Sequence, residues 1–155
     1  VSSEWLHNQI RVIGGAYGGY CRIGADGMVT FNSYRDPGLN KTIETYGQTG
    51  YFLKKFETYQ QRLTRYIIGT IANLDMPLSP SQRGYRAFDM FLSKRKIGDI
   101  HKEREAILKT TLDDVKGYAG MMDRVIGQGA VCVFGNTQKV SAEKEHLKRL
   151  IKIDE

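Results

Sequence analysis

Two runs rich in aromatic and β-branched residues near the start of the chain have the length of β-strands. The first run covers Ala16–Ile23 and the second covers Met28–Tyr34. Between them lies a Gly-Ala-Asp-Gly segment, a combination typical of the turn that joins two paired strands. The pattern therefore predicts a β-hairpin.

Most of the remaining chain repeats apolar residues every three or four positions, the spacing of amphipathic helices. Gly47 and Gly50 weaken the second predicted helix, and Gly69 suggests close packing of the third helix against a neighbour. We expect the apolar side chains of each helix, including those between Tyr85 and Phe91, to pack inward. The predicted helices cover Glu4–Val12, Gly38–Glu57, Thr58–Leu74, Pro80–Leu92, Ile97–Leu108 and Leu112–Ile126.

The last part of the chain is predicted to return to a strand and then a helix. Ala130–Gly135 is a continuous apolar run of strand length, which favours a buried strand. Ser141 is expected to cap a final helix that turns Leu147, Leu150 and Ile151 inward. The order is therefore helix, hairpin, several helices, one strand and one helix, which predicts an α+β fold.

Length and composition favour one domain, or part of one, with a real core. The chain has 155 residues and a formal net charge of +6, with basic residues spread along helical faces as solvated surface charge. No run approaches the roughly 18 apolar residues of a membrane span, so no membrane partner is expected. Because the chain starts at Val1 without a Met, we interpret it as a fragment.

The cysteines and histidines do not form the motif of a metal or redox site. Cys21 and Cys132 lie in strand-like runs without a C-x-x-C pair, which favours two buried free thiols in a reducing intracellular compartment, the cytoplasm, with an organelle as the open alternative. His7, His101 and His146 are far apart, and none belongs to an H-x-x-E-H motif. We therefore expect no metal in this chain, and surface positions for all three histidines.

Arg11 and Tyr17 are the candidate binding residues. Arg11 offers a planar fork of donors, and Tyr17, six residues later, offers a phenol hydroxyl. If a helix ends near Val12 and a strand begins at Ala16, both side chains reach one point, where they would clamp a carbonyl oxygen or an oxyanion. Gly14 and Gly15 between them leave room for another backbone to approach.

The same stretch resembles a known family. Arg11–Gly19, RVIGGAYGG, is similar to the R-x-x-G-G-A-Y-G segment in the second half of presequence-protease-like enzymes, which are zinc metallopeptidases of the pitrilysin/insulinase clan. Phe31–Pro37, FNSYRDP, resembles the F-x-S-Y-R-D-P that follows in that family, and Ile67–Ile71 resembles its I-I-G-T-I. The three matches occur in the family's order.

This resemblance implies a fold and a role. It implies the latter part of a domain in which an antiparallel sheet, here the hairpin plus the late strand, packs helices on one face. It also implies a C-terminal non-catalytic portion that partners an N-terminal catalytic half, encloses unstructured peptides, and is inactive alone. Zinc would then lie outside this chain, while Arg11 and Tyr17 would bind substrate and stabilise the tetrahedral intermediate.

A different class of function also fits the residues. Basic and aromatic side chains alternate in the hairpin region, as they do in stacking platforms for single-stranded nucleic acid. A non-enzymatic module that binds nucleic acid or an acidic protein is thus the alternative, whereas the peptidase hypothesis expects no nucleic-acid partner. The platform would comprise Tyr17, Tyr20, Tyr34, Arg11, Arg22 and Arg35.

Overall fold

The computed structural model describes residues 1–24, 26–143 and 147–151. These residues form two compact units, Val1–Phe56 together with the chain from Lys116 onward, and Glu57–Val115. We call them the hairpin unit and the helical unit. An N-terminal helix, Ser2–Ile13, precedes strands β1 (Gly18–Ile23) and β2 (Val29–Tyr34). The α-helices are α1 Leu39–Gly47, α2 Thr49–Lys55, α3 Gln60–Leu74, α4 Pro80–Leu92, α5 Ile97–Leu108, α6 Leu112–Gly117, α7 Ala119–Gln128 and α8 Thr137–Ala142.

The N-terminal helix covers one face of the hairpin and provides most of its core. It is a π-helix, in which backbone N–H groups bond to carbonyls five residues earlier, as Gly14 does to Gln9 at 3.0 Å. Leu6 and Ile10 are fully buried. Ile10 packs so tightly on Gly19 that a Cβ at position 19 would lie 2.9 Å from its Cδ1 atom. The glycine therefore permits the close approach of helix and strand.

The predicted hairpin is confirmed. β1 and β2 pair antiparallel from Gly18 opposite Tyr34 to Ile23 opposite Val29. In the turn, the Gly24 N–H donates to the Met28 carbonyl at 2.8 Å, and Gly27 adopts a positive φ of 79°, which glycine tolerates best. Ala25 lies outside the described residues.

Helices α1, α2, α7 and α8 also belong to the hairpin unit. The Trp5 indole stacks on Phe52 at 5.3 Å and donates its Nε1–H to the Thr45 carbonyl at 3.0 Å, which joins the N-terminal helix to α1 and α2. The single helix predicted between residues 38 and 57 is divided at Gln48, in the region that its glycines weaken. Trp5 is therefore a core residue with its polar group satisfied.

In the helical unit, α3 packs against α5, and Arg104 bonds Asp75 at 3.0 Å. α4 begins with a capping box, because Ser79 accepts from the Gln82 N–H while the Gln82 side chain accepts from the Ser79 N–H. The predicted bounds of α4 and α5 are confirmed. The inward packing predicted for α4 is wrong, because most of its large apolar side chains are exposed in the part of the chain that the structure describes. The exposed residues are Tyr85, Phe88, Phe91 and Leu92.

Three further expectations are corrected. Gly69 has no heavy atom within 4 Å of where a Cβ would stand, so no close packing explains it within the described structure. The strand predicted at residues 130–135 does not form, and Phe134 is 90% exposed. Among the described residues the run pairs with neither strand of the two-stranded sheet, and a segment without a partner strand stays hydrated. Cys132 is consequently exposed rather than buried, whereas Cys21 is half-buried.

The final helix also differs from the expectation. It begins at Thr137, because the Asn136 side chain accepts from the N–H groups of Gln138 and Lys139. Ser141 lies inside this helix rather than at its start. Residues 144–146, part of the predicted helix, lie outside the described residues, and Leu147–Ile151 are not helical. The fold is nonetheless α+β, as predicted.

Candidate functional site

A two-glycine connection brings Arg11 and Tyr17 together. Past the end of the N-terminal helix, the Gly15 N–H donates to the Arg11 carbonyl at 3.1 Å and the Ala16 N–H to the Ile10 carbonyl at 3.1 Å. Gly15 has a φ of +79°, which reverses the chain towards β1. At Gly14 a Cβ would lie 2.6 Å from the Ile10 carbonyl, so the backbone that approaches this glycine is the chain's own.

The two candidate side chains form a cation–π pair on the surface. The Arg11 Cζ atom lies 5.5 Å from the centroid of the Tyr17 ring. Tyr17 is 60% exposed and Arg11 is also exposed. Within the described chain, no salt bridge engages Arg11 and no hydrogen bond engages the Tyr17 hydroxyl. The donors of both groups are thus available to an oxygen-bearing ligand.

Two further residues extend this pair into a row. The Tyr34 ring meets the Tyr17 ring edge to face, at 5.9 Å and 88°, and the Arg35 guanidinium lies 5.4 Å over Tyr34. The Tyr17 N–H donates to the Tyr34 carbonyl at 3.0 Å, which fixes the two backbones side by side. We call Arg11, Tyr17, Tyr34 and Arg35 the Arg–Tyr row.

The sequence pattern identifies Tyr34 and Arg35 only as members of a basic aromatic platform, and the structure divides that platform. Tyr20 pairs with Asn32 and its hydroxyl group lies over Gly18, while Arg22 pairs with Thr30 towards the turn. Neither residue contacts a member of the row among the ring contacts of the described residues. The hairpin register, in which Gly18 faces Tyr34, places Tyr34 beside Tyr17, and the sequence pattern does not define that register.

The nearby titratable groups favour neutral, structural roles. Burial raises the pKa of the Cys21 thiol, so this cysteine remains protonated near neutral pH. Its backbone N–H and carbonyl both bond the Ser2 hydroxyl, at 2.9 and 3.1 Å. Burial also raises the pKa of Tyr46, and the nearby Asp36 carboxylate contributes to the rise. Both residues pack against the buried cluster of Leu6, Ile10 and Ala16.

The part of the chain that the structure describes contains no cluster of three or more histidine, cysteine or acidic side chains suited to a metal ion. His146 falls on residues that are not described. The described residues therefore do not fit zinc. In the same residues, no helix has both the length and the apolar character to cross a membrane.

Comparison with known proteins gives one consistent result. Residues 1–138 match the family model described as PreP C-terminal domain. The chain is 36% identical to Protein HypA of Clostridium perfringens over 96% of its length, and 36% identical to Presequence protease 1, chloroplastic/mitochondrial, of Arabidopsis thaliana over 92%. It is also 31% identical over 87% of its length to Presequence protease, mitochondrial, of Drosophila melanogaster. It spans only 16%, 13% and 13% of these three proteins, respectively. The chain belongs to the family of PreP C-terminal domains.

Proposed function

We propose that this chain is the C-terminal, non-catalytic portion of a zinc-dependent peptidase that degrades unstructured peptides. It contributes wall to the chamber that encloses the peptide, and its Arg11 and Tyr17 bind the substrate backbone and the oxyanion of the tetrahedral intermediate. Membership of the PreP C-terminal domain family and the presequence proteases among its relatives support the peptidase assignment.

The single observation that carries the site assignment is the exposed Arg11–Tyr17 pair. A guanidinium and a phenol at 5.5 Å form a preorganised set of donors, and such donors stabilise charge as it develops on an oxygen atom. Arg11 is held by its stacking on Tyr17 rather than by a carboxylate of the described chain, so its positive charge is not neutralised. The pair suits a peptide carbonyl whose oxygen becomes negative.

The catalytic machinery of the proposed enzyme lies elsewhere. Since the described residues offer no donor set for zinc, we assign the metal to an N-terminal catalytic half, the main partner of this chain. Zinc bound there supplies Lewis-acid chemistry. The 155-residue chain alone is therefore proposed to bind no stoichiometric zinc and to cleave no peptide.

The proposed compartment is intracellular and reducing. The names of the Arabidopsis and Drosophila relatives place those proteins in chloroplasts or mitochondria. Both cysteines of this chain are free, which suits a compartment of that redox state. The proposal covers an organelle as well as the cytoplasm.

Nucleic-acid binding is the less supported function. Stacking of bases needs exposed aromatic faces. In the Arg–Tyr row the guanidinium groups already lie over the rings of Tyr17 and Tyr34, and the rings contact each other. The row is arranged to present cationic and phenolic donors more than open stacking faces.

Steady-state kinetics of the intact peptidase on one unstructured peptide test the proposal. Tyr17→Phe removes one hydroxyl and keeps the ring under Arg11, whereas Arg11→Lys keeps the charge and loses the planar fork. Each change is expected to lower kcat about 100- to 1,000-fold, the usual cost of one oxyanion donor. The transition-state stabilisation lost in the double variant should be smaller than the sum of the two single losses, because both donors interact with one charge.

Other outcomes separate the remaining explanations. A higher KM with unchanged kcat would mean that the pair holds only the ground-state peptide. Normal kcat and KM in Tyr17→Phe, with any deficit confined to the melting temperature, would refute the site assignment. Zinc content and melting temperature of each variant serve as controls for folding.

A further inference from the structure

We infer that Tyr34 is a positioning residue for the clamp, and that Arg35 holds Tyr34 in place. This inference rests on the proposed role of Arg11 and Tyr17 and assigns the second half of the Arg–Tyr row to the same site. The row has a cation at each end and two rings between them. Each arginine Cζ atom lies over a ring, 5.5 Å from the Tyr17 centroid and 5.4 Å from the Tyr34 centroid, and the two ring centroids are 5.9 Å apart. Within the described chain, neither tyrosine of the row stacks on a ring outside it, and neither arginine forms a salt bridge.

Tyr17 needs such support because, apart from the Arg11 guanidinium over its ring, little in its own surroundings holds the side chain. It precedes β1, lies outside the strand ladder, and is 60% exposed. Its N–H bond to the Tyr34 carbonyl fixes the backbone but not the side-chain torsions. The near-perpendicular Tyr34 ring presents the edge-to-face geometry that aromatic pairs favour, and so restricts the Tyr17 ring.

Tyr34 itself does little for the core. It is 56% exposed, and in the hairpin it faces Gly18, over which the end of the Tyr20 side chain lies. Its ring instead contacts both Tyr17 and the Arg35 guanidinium. A large aromatic residue that is half exposed yet contacts two members of a functional row is better explained by positioning than by burial.

Arg35 adopts a backbone conformation that supports the same conclusion. Its φ of +48° lies in the left-handed region, which residues other than glycine, asparagine and aspartate rarely adopt. Such strain persists where the surrounding structure imposes it, and it concentrates at functional sites. Here it coincides with the chain leaving β2 while the guanidinium turns back over Tyr34.

The test uses the intact peptidase with four variants. Tyr34→Leu removes the ring, Tyr34→Phe keeps it, and Arg35→Asn removes the cation while tolerating the positive φ. Tyr51→Leu is the matched control, because Tyr51 is a 67% exposed tyrosine on α2 without a ring contact in the described structure. kcat, KM and melting temperature are measured for each, and Tyr34→Leu is repeated in the Tyr17→Phe background.

We expect Tyr34→Leu to lower kcat about tenfold, because the rate falls steeply as the Tyr17 hydroxyl moves away from its productive position. KM and melting temperature should match those of Tyr51→Leu. Tyr34→Phe should restore kcat, and Arg35→Asn should cause a smaller loss. In the Tyr17→Phe background, where the hydroxyl is absent, Tyr34→Leu should have little further effect on kcat.

Four results would overturn the inference. If Tyr17→Phe is slow while Tyr34→Leu turns over normally, the clamp stands and Tyr34 does not position it. If Tyr34→Leu costs the same factor in both backgrounds, or Tyr34→Phe fails to restore kcat, Tyr34 acts independently of the Tyr17 hydroxyl. If neither single variant lowers kcat, the proposed function of the pair fails together with the inference.

Discussion

Gly15 lies between the N-terminal helix and Tyr17, whose ring contacts Arg11 in the last turn of that helix. Its positive φ reverses the chain within two residues, so that Tyr17 returns beneath the Arg11 guanidinium. A residue with a Cβ is strained at such an angle. Gly15 therefore brings Tyr17 beside Arg11 through its backbone conformation.

At the same scale, Thr111 lowers the pKa of Asp114 at the start of α6 through two hydrogen bonds. The Thr111 hydroxyl donates to the Asp114 carboxylate at 2.7 Å and the Thr111 N–H donates at 2.8 Å, which together lower the pKa of Asp114. Because the folded-state pKa lies below the unfolded value, this carboxylate stabilises the fold at pH above the unfolded value. That contribution is lost as the pH falls through the folded value.

Removing the hydroxyl should raise this pKa towards its ordinary value. We predict that Thr111→Val moves the carboxyl titration of Asp114, followed by NMR, to higher pH, because only the backbone donor remains. Thr110→Val is the matched control, since the Thr110 hydroxyl donates to the Ala106 carbonyl instead. An identical Asp114 titration in both variants would contradict the assignment.

The proximity of Arg11 and Tyr17 could be predicted from sequence because it depends on local features, a helix end, two glycines and a strand start. The contact between Tyr17 and Tyr34 could not, because it depends on the register of two strands that are 17 residues apart at these positions. Apolar periodicity fixes which face of a strand is buried, but the edge-to-face placement of two exposed rings leaves no signal in that pattern.

At the level of elements, α2 and α7 approach each other across Gly50. A Cβ at this position would overlap the Asp123 carboxylate and lie 2.8 Å from the Ala119 carbonyl. Gly50 is buried, so a methyl group has nowhere to go without moving one of the helices. The glycine that weakens the helix therefore allows the two helices to pack.

We predict that Gly50→Ala lowers the free energy of unfolding by about 1 to 3 kcal/mol, the usual cost of overpacking. Gly127→Ala in α7 is the matched control, since no heavy atom lies within 4 Å of the position that its Cβ would take. That change should stabilise by about 0.5 to 1 kcal/mol through helix propensity. Urea unfolding measures the free energy of unfolding of both variants, and equal values for Gly50→Ala and Gly127→Ala would refute the close packing at Gly50.

Elements that depend on residues close in sequence can be predicted from the sequence, and those that depend on a partner strand distant in sequence cannot. α4 and its Ser79 cap depend on neighbouring residues, so the predicted bounds agree with the structure. The strand expected at residues 130–135 depends on pairing with a sheet edge, and in the described structure this run pairs with neither strand of the hairpin. A run of apolar residues shows that a strand is favoured, not that its partner is present.

At the scale of the whole molecule, the described chain has an unpaired strand edge and an exposed apolar helix face. The outer edge of β2 pairs with no other strand there, and α4 presents Tyr85, Phe88, Phe91 and Leu92 to solvent, at 58–79% exposure. Unpaired edges and large apolar patches promote contacts with other chains. Both surfaces are therefore candidates to contact another copy when the chain is isolated.

We predict that the 155-residue chain self-associates as its concentration rises, as measured by light scattering. The variant Phe88→Lys/Phe91→Lys should reduce this association if the α4 surface carries it, because charge interrupts the apolar patch. Unchanged association would assign it to the strand edge instead. A monomer at every concentration tested would contradict the prediction.

The central claim is that Arg11 and Tyr17 bind the transition state of peptide hydrolysis more tightly than the peptide itself. The most direct measurement is the inhibition constant of a phosphinic peptide, whose tetrahedral centre imitates that state, for the intact peptidase and its Tyr17→Phe variant. We predict that the constant rises about 100- to 1,000-fold, by the same factor as kcat/KM falls, while KM for the matching peptide stays constant. An unchanged inhibition constant in Tyr17→Phe would contradict the account.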